Sequence, residues 1–368
     1  MPAGKPKLRP ITGPRSHAGS RPAVGPWEAY WGDVHVHTAF SADAEGFPDE
    51  LIYYAQDKAG LDFMVLQDND SHHIAITESE YALTQYYARH YHQDGRFVIL
   101  PAFEWTQRGP NHRTVIAGGE PLPILRNTGA AGARSIEDLA RHAERHGAIM
   151  HIHHENFRLT DSPAETNLEI CSGWRVHMID PAYREVIHKL LAGGRRLGFV
   201  GGSDNHRRNP GLGGALTLVY AAEKSRAAIL EAFRQHRTVA TDGSRIGVRF
   251  WINDAFIGES LAVNKVPEIR WEATLTSLPA TVSLIRDGQM VKSWRIGQVD
   301  PEQTGLEGAA PYWAKGQWQD KDCPFGSHFY YIQVEEEGIA WHACPTNMAV
   351  AWGPRAWTSP IWVDYRSG

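Results

Sequence analysis

Histidines and carboxylates recur at the ends of apolar segments through the first half of this sequence. The earliest set is Gly32-Asp33-Val34-His35-Val36-His37-Thr38. On a strand, side chains at i and i+2 share a face. Asp33, His35 and His37 are therefore expected on one side, with Val34 and Val36 on the other. Two imidazoles on one face at a strand end can hold one metal ion. Among 19 histidines one H-x-H arises by chance. His90 and His92 form another, in a polar helical stretch that reads as solvated surface. The first set gains weight from the later strand ends, which carry the same residue types. FVILPAF leads into Glu104, with His112 eight residues on; AIMHIH carries His151 and His153 and runs into His154; LGFVGGS leads into Asp204-Asn205-His206. Nitrogen and carboxylate ligands drawn from several strands suit Zn²⁺, Mn²⁺ or Fe²⁺ better than Ca²⁺ or Mg²⁺. A glutamate among several histidines can bridge two ions and hold them close enough to share a hydroxide.

These residues need a scaffold whose strand ends converge. From Trp31 to about Tyr220 strands and helices alternate. WGDVHVH, LDFMVLQ, FVILPAF, AIMHIH, NLEIC and LGFVGGS read as mostly apolar strands. Between them, Pro48 opens a helix through Ala59, Thr77–His92 reads as a second, Ser135 with Asp138 as a capped third, and Asp180-Pro181 as the start of a fourth. Apolar strands separated by amphipathic helices indicate a parallel sheet buried on both faces. About seven such units favour a barrel, whose C-terminal strand ends share one mouth. After a helix over Ser225–His236 the pattern changes. VRFWIN, EIRWEATL, TVSLIRDG, FYYIQVEE and SPIWVDY are short alternating segments, and Arg286-Asp287-Gly288 is a turn signal. Nine of the 13 tryptophans lie from Trp251 onward, whereas 15 of the 19 histidines lie between His35 and His206. That contrast points to two domains of different chemistry.

Composition excludes several classes. The 368 residues suit two domains at roughly 100–200 residues each. Net charge is 37 − 42 = −5, which argues against a dedicated nucleic-acid partner. No run approaches the ~18 apolar residues of a membrane span. The first 26 residues carry five basic residues and six prolines but no apolar stretch, and read as a flexible lead rather than a secretory signal. Cys171, Cys323 and Cys344 are widely spaced and odd in number, which fits a reducing cytoplasm.

GDVHVHTAFSAD resembles the opening motif of the PHP superfamily, named for polymerase and histidinol phosphatase. Its members are metal-dependent phosphoesterases on a distorted (β/α)7 barrel. Within it, EWTQRGPNHRTVI, NLEICSGW, LGFVGGSDNHRRNPG, RTVATDGSRIGVRF and the closing AWTSPIWV resemble an uncharacterised bacterial PHP-like family. The likeness covers most of the chain beyond Trp31. It implies that His35, His37, Glu104 and Asp204 hold a first metal, and that Glu104 bridges to a second completed by His112 and His153. His151 shares a strand face with His153 and is the alternative there. Asp43 and His206 would stand at a third position. The family's histidine after the second strand is replaced by Asn69, a poorer ligand for zinc-like ions. Asp68, Asp70, His72 or His73 could substitute.

The expectation is an α/β protein. A distorted (β/α)7 PHP-type barrel over 27–248 is followed by a smaller all-β, sandwich-like domain over 249–368 that supplies no metal ligand. The activity expected is hydrolysis of a small phosphorylated substrate, mono- or diester, with two or three divalent ions (Zn, Mn or Fe). A metal-bridging hydroxide would attack phosphorus in line. His154 and Asp70 are the expected proton donors. Arg207, followed by Arg208, offers a guanidinium fork to phosphate oxygens. The alternatives are an amidohydrolase-type C–N or C–O hydrolase, which also opens with H-x-H, and a non-catalytic binding protein with a vestigial site.

Overall fold

The computed structural model describes residues 26–70, 74–106, 112–118, 122–127, 135–153, 157–212, 214–297, 312–337 and 354–367. The N-terminal part contains β1 (Glu28–Val36), α1 (Pro48–Tyr53), β2 (Phe63–Leu66), α2 (Glu78–His90), β3 (Val98–Trp105), β4 (His112–Ile116), α3 (Ile136–Arg145), β5 (Ile149–His153), β6 (Glu165–Cys171), α4 (Pro181–Ala192), β7 (Gly198–Gly201), β8 (Leu216–Ala221), α5 (Arg226–Arg234) and β9 (Thr238–Thr241). Local chemistry sets the helix starts. The Thr77 hydroxyl accepts from Glu80 N–H while the Glu80 carboxylate accepts from Thr77 N–H, closing a capping box. Ser135 and Ser225 cap α3 and α5 in the same way by accepting from Asp138 N–H and Ala228 N–H. The helix expected from Pro48 to Ala59 is α-helical only to Tyr53; Tyr54–Lys58 widens to a π turn, in which Ala59 N–H donates to Tyr54 O.

Every residue of β2, β3, β5, β6, β7, β8 and β9 is buried. β1–β2, β2–β3, β5–β6 and β6–β7 pair in parallel. The uniform parallel order expected from the alternation does not hold. β4 enters as an unforeseen strand, antiparallel to both β3 and β5. β8 runs antiparallel to β1 and β9. The run β9-β8-β1-β2-β3-β4-β5-β6-β7 comes back toward its start: Thr238 Oγ1 donates to Phe199 O (2.7 Å), and Gly201 N donates to Thr217 Oγ1 (2.9 Å). α5 closes one end, with Ile229 and Phe233 packed among Val34, Phe63, Val65, Leu100, Ile149 and Val200.

The rest is all strand: β10 (Gly247–Ile252), β11 (Ala255–Phe256), β12 (Ser260–Val263), β13 (Glu268–Leu275), β14 (Ala280–Arg286), β15 (Gln289–Ile296), β16 (Tyr312–Gln319), β17 (Gly326–Glu336), β18 (Arg355–Thr358) and β19 (Ile361–Tyr365). β11-β10-β13-β16 form a separate sheet. It shares a core with β14 and β17 through Val248, Phe250, Trp271, Val282 and Ile332. The expected turn joins β14 to β15, with Asp287 and Gly288 at φ 49° and 82°. Two successive positive φ angles are what a tight hairpin requires, and Asp-Gly supplies them at little cost. β18 pairs with β9, Trp357 opposite Ala240, so the two parts share one continuous sheet. No helix among the described residues is long and apolar enough to cross a membrane.

Candidate metal centre

β1 departs from strict alternation at its end: its register against β2 shifts between Asp33 and Val36. Asp33 is consequently not grouped with the two histidines. Its carboxylate accepts from the N–H groups of His35 (3.2 Å), Ser203 (2.9 Å) and Gly211 (3.0 Å), tying β1 to the loop after β7. His35 and His37 bring their Nε2 atoms to 3.0 Å from each other. Asp204 Oδ1 lies 3.2 and 3.3 Å from those nitrogens, and Glu104 Oε2 lies 3.4 and 3.0 Å from them. The other oxygen of Glu104 faces a second set, at 2.6 Å from His112 Nδ1 and 4.0 Å from His153 Nε2. β4 creates this second set, because its pairing aligns His112 with His153 and Glu104 with Thr114.

Two tight backbone features hold the cluster. Gly202 follows β7, where an added Cβ would stand 2.5 Å from His35 Cβ and 2.6 Å from Glu169 Oε2. Asp204 has φ 50°, a left-handed conformation rare for a non-glycine residue and a mark of strain held at a site. Around them, polar groups orient the imidazoles. Ser41 donates its single hydroxyl proton to Asp68 Oδ1 (2.8 Å), so His37 Nδ1, at 3.1 Å, must supply the proton of its own bond to Ser41. His35 Nδ1 donates to Glu169 Oε2 at 2.9 Å. Both leave Nε2 facing the cluster, where its lone pair becomes available once a cation displaces the proton there, the arrangement that metal-ligating histidines take. Asp68 also accepts from Thr38 and Thr84, which fixes the loop that carries Ser41.

Burial and charge oppose each other at each of these groups. Burial would raise Glu104 and Asp204, but the surrounding imidazoles hold both carboxyls well below the usual range. Burial would lower His37, but Asp204 and Glu104 carry it up to about 9; His35 is raised well above its ordinary value despite burial, by Asp204, Glu169 and Glu104. A field that keeps protons on buried imidazoles is one that a divalent cation can neutralise in their place. Glu169, desolvated although His35 opposes the effect, is raised to about 7. Three donor groups come within metal-binding reach among the described residues: His35–His37–Asp204, Glu104–His112–His153, and His35–His153–Glu169. Nitrogen with carboxylate oxygen is the donor set of zinc-like ions, so these residues fit the metals expected of them.

Other expected residues fare differently. His206 and Asp43 form a pair, Nε2 to Oδ2 3.4 Å, with the His206 ring 4.6 Å from that of His37. Burial opposes, yet the His206 contact lowers the Asp43 carboxyl. Asn69 is bridged through its backbone to Glu104 and donates its N–H to Ser41 Oγ. Asp70 accepts from the Thr106 N–H and hydroxyl and from the Asn127 N–H (2.6 Å), lacing the end of β3 to a neighbouring loop. Arg207 is half exposed on the rim and ion-paired with Glu45 at 2.6 Å. His151 lies one rung deeper on β5, opposite Thr114, and belongs to none of the donor groups; burial and then His35 push it down to about 3. His72, His73 and His154 lie outside the described residues. Among the described residues none of the three donor groups draws on residues beyond 248; His328 bonds Asp287, and His342 is outside the described residues. Glu169 and Ser41 do not stand out in the sequence. An acidic residue inside the apolar strand NLEIC is the one signal there, since a buried charge needs a partner.

Comparison with known proteins gives partial matches. The family described as a protein of unknown function (DUF3604) matches residues 194–276, from just before β7 to the end of β13. An uncharacterized protein of Chlamydia muridarum is 28% identical over 194 residues, and one of Chlamydia trachomatis is 28% identical over 190. Each match covers 46% of this chain, which spans only 27% of either relative. A Bacteroides vulgatus structure, described as a two-domain protein containing a predicted PHP-like metal-dependent phosphoesterase, is 15% identical, with a TM-score of 0.47 over 85% of this chain and 92% of that one. PsfC from Pseudomonas syringae is 16% identical, with a TM-score of 0.41 over 57% and 90%.

Proposed function

We propose that this protein is a metal-dependent hydrolase of phosphate esters, mono- or diesters, holding two or three zinc-like divalent ions. The observation that carries the reading is Glu104. One of its oxygens faces His35 and His37, and the other faces His112 and His153. A carboxylate so placed can join two cations. His35, His37 and Asp204 would complete the first position and His112 with His153 the second, while His206 and Asp43 would contribute to a third. When bound, the ions supply Lewis-acid neutralisation of phosphoryl charge and activation of the attacking water. The chain's own part is to hold Nε2 lone pairs in place through Ser41 and Glu169 and to fix Asp204 in its strained turn. Arg207 on the rim would exchange Glu45 for a phosphate oxygen, and His154 remains the proposed proton donor to the leaving group. The return of β7 alongside β9 supports a distorted PHP-type barrel over 27–248, with 249–368 as an appended β domain. The buried free thiols of Cys171 and Cys323 support the cytoplasm as its compartment.

The test is metal analysis of the purified protein with matched phosphate esters and amides. Dialysis against chelator is expected to abolish ester hydrolysis, and Mn²⁺ or Zn²⁺ to restore it better than Ca²⁺. Full activity with no metal detected sinks the reading, and hydrolysis confined to the amides replaces it with an amidohydrolase.

A further inference from the structure

The loop after β6 carries a partly exposed tryptophan beside the centre. Trp174 is 36% exposed. Its ring centroid lies 5.7 Å from that of His206 at 85°, and His206 in turn lies 4.6 Å from His37. The ring therefore stands one side chain away from the paired imidazoles. Nor is it on a loose tip. Ser172 Oγ accepts from the N–H of Trp174 (3.1 Å) and of Arg175 (3.3 Å), and Ser172 N–H donates to Arg175 O. Gly173 N–H donates to Ser203 O, in the loop that carries Asp204 and His206. The two loops are in close contact at Gly214, where an added Cβ would meet both Gly173 Cα and Ser203 Cα at 3.0 Å. The chain thus fixes an exposed indole against the loop that supplies the metal donors.

We infer that Trp174 is a specificity-determining residue and that the substrates are phosphate esters whose alcohol carries a flat aromatic or heteroaromatic group. This inference rests on the phosphate-ester reading and names its substrate class. With phosphorus at the donor cluster, an aromatic ring on the alcohol would extend toward the side of the centre on which the indole stands. Aromatic pairs at such separations attract beyond simple area burial. An alkyl chain gains less from the same surface.

The experiment compares phenylphosphonate with methylphosphonate, neither hydrolysable, by calorimetry on the Mn²⁺-reconstituted full chain, and phenyl with butyl phosphate by kcat/KM. Each variant is read as its own aryl-to-alkyl ratio, so a general loss of folding or metal cancels. The wild-type protein is expected to prefer the aryl phosphonate by about tenfold. Trp174→Ala brings the ratio close to one, and Trp174→Phe restores most of it. The kcat/KM ratio should fall in Trp174→Ala in the same direction as the binding ratio, because each ester's intrinsic reactivity is unchanged. A ratio that Trp174→Ala leaves unaltered, or a wild type with no preference, overturns the inference while leaving a phosphate-binding centre in place. Failure of both phosphonates to bind the metal-loaded protein overturns the phosphate-ester reading itself, and this inference with it.

Discussion

Glu104 has no other acidic residue near it in sequence, yet its two carboxylate oxygens face both sets of imidazoles, one each. Removing its charge should therefore cost more than removing any single peripheral ligand. Glu104→Gln keeps the size but loses the negative charge that offsets repulsion between two cations. It is expected to lose at least one ion per chain and about 10²-fold or more in kcat/KM, the scale of deleting one preorganised electrostatic group. His206 has two acidic side-chain partners, Asp43 and Asp204, each at 3.4 Å, and lies beside rather than within the three donor groups. His206→Ala should leave the core pair of ions and cost about tenfold, the lower end of what metal-site partners contribute. Activity and bound metal, measured for both variants under one metal supply, decide the order; two ions and near-normal turnover in Glu104→Gln reverse the assignment. The residues that orient the ligands are less legible in the sequence than the ligands. Glu169 is 134 positions from His35, and its place inside an apolar strand says that it needs a partner but not which one. Ser41 reads as an ordinary loop serine until Asp68 takes its proton.

At the scale of elements, the legible part is what local chemistry determines. Thr77, Ser135, Asp180 and Ser225 each cap the helix expected after them, because a side-chain acceptor for free N–H groups is specified within three residues. β4 escapes the sequence reading, although Gly109-Pro110-Asn111 before the β-branched run of His112–Ile116 is a hairpin signal. Its pairing is antiparallel on both sides, which the alternation of strands with helices does not encode. The bulge near the end of β1 is likewise a tertiary adjustment, and it turns Asp33 from an expected neighbour of the histidines into a brace. The interface between α4 and β17 offers a test of its own. His188 Nε2 lies 2.9 Å from Tyr331 Oη, and burial, then the charge of Arg184, push His188 down to about 4. Its folded value is thus below the unfolded 6.5, so the neutral form is favoured in the fold. The stability it contributes is present above about pH 6.5 and is lost as pH falls toward 4. Melting temperature should drop more between pH 7.5 and 5 for the wild-type protein than for His188→Gln, by about 2 °C or more. Equal drops in the two proteins would show that His188 is not a source of acid sensitivity.

Across the whole molecule, the strands after 248 are joined to the part that carries the candidate metal centre by covalent continuity, by a ladder and by a core. Trp357 is at the junction: fully buried, opposite Ala240 in the β18–β9 pair, and packed in a cluster with Phe199 of β7 and Tyr331 of β17. Ser359 Oγ accepts from Phe199 N–H at 2.7 Å and lies 2.7 Å from Thr238 Oγ1, so the end of β18 also touches β7 directly. Two parts coupled in this way should unfold together, since neither can expose its face of the shared cluster without losing the other's contacts. Trp357→Ala removes one of the two tryptophans of that cluster and is expected to cost about 3–5 kcal/mol. The loss should also reach the metal centre. β7 ends at Gly201, and the Gly202–Asp204 turn after it places a carboxylate against His35 and His37. Loosening β7 against β18 and β9 frees that strained turn to relax, so the variant should bind its ions more weakly as well as melt earlier. Equilibrium denaturation followed by tryptophan fluorescence and far-ultraviolet circular dichroism should give one coincident transition for the wild-type protein. In Trp357→Ala the transition should move to lower denaturant, and competition with a metal chelator should show weaker retention. Two separated transitions in the wild-type protein, or a destabilised variant with unchanged metal affinity, would mean that the strands after 248 are carried by the N-terminal part without bracing it.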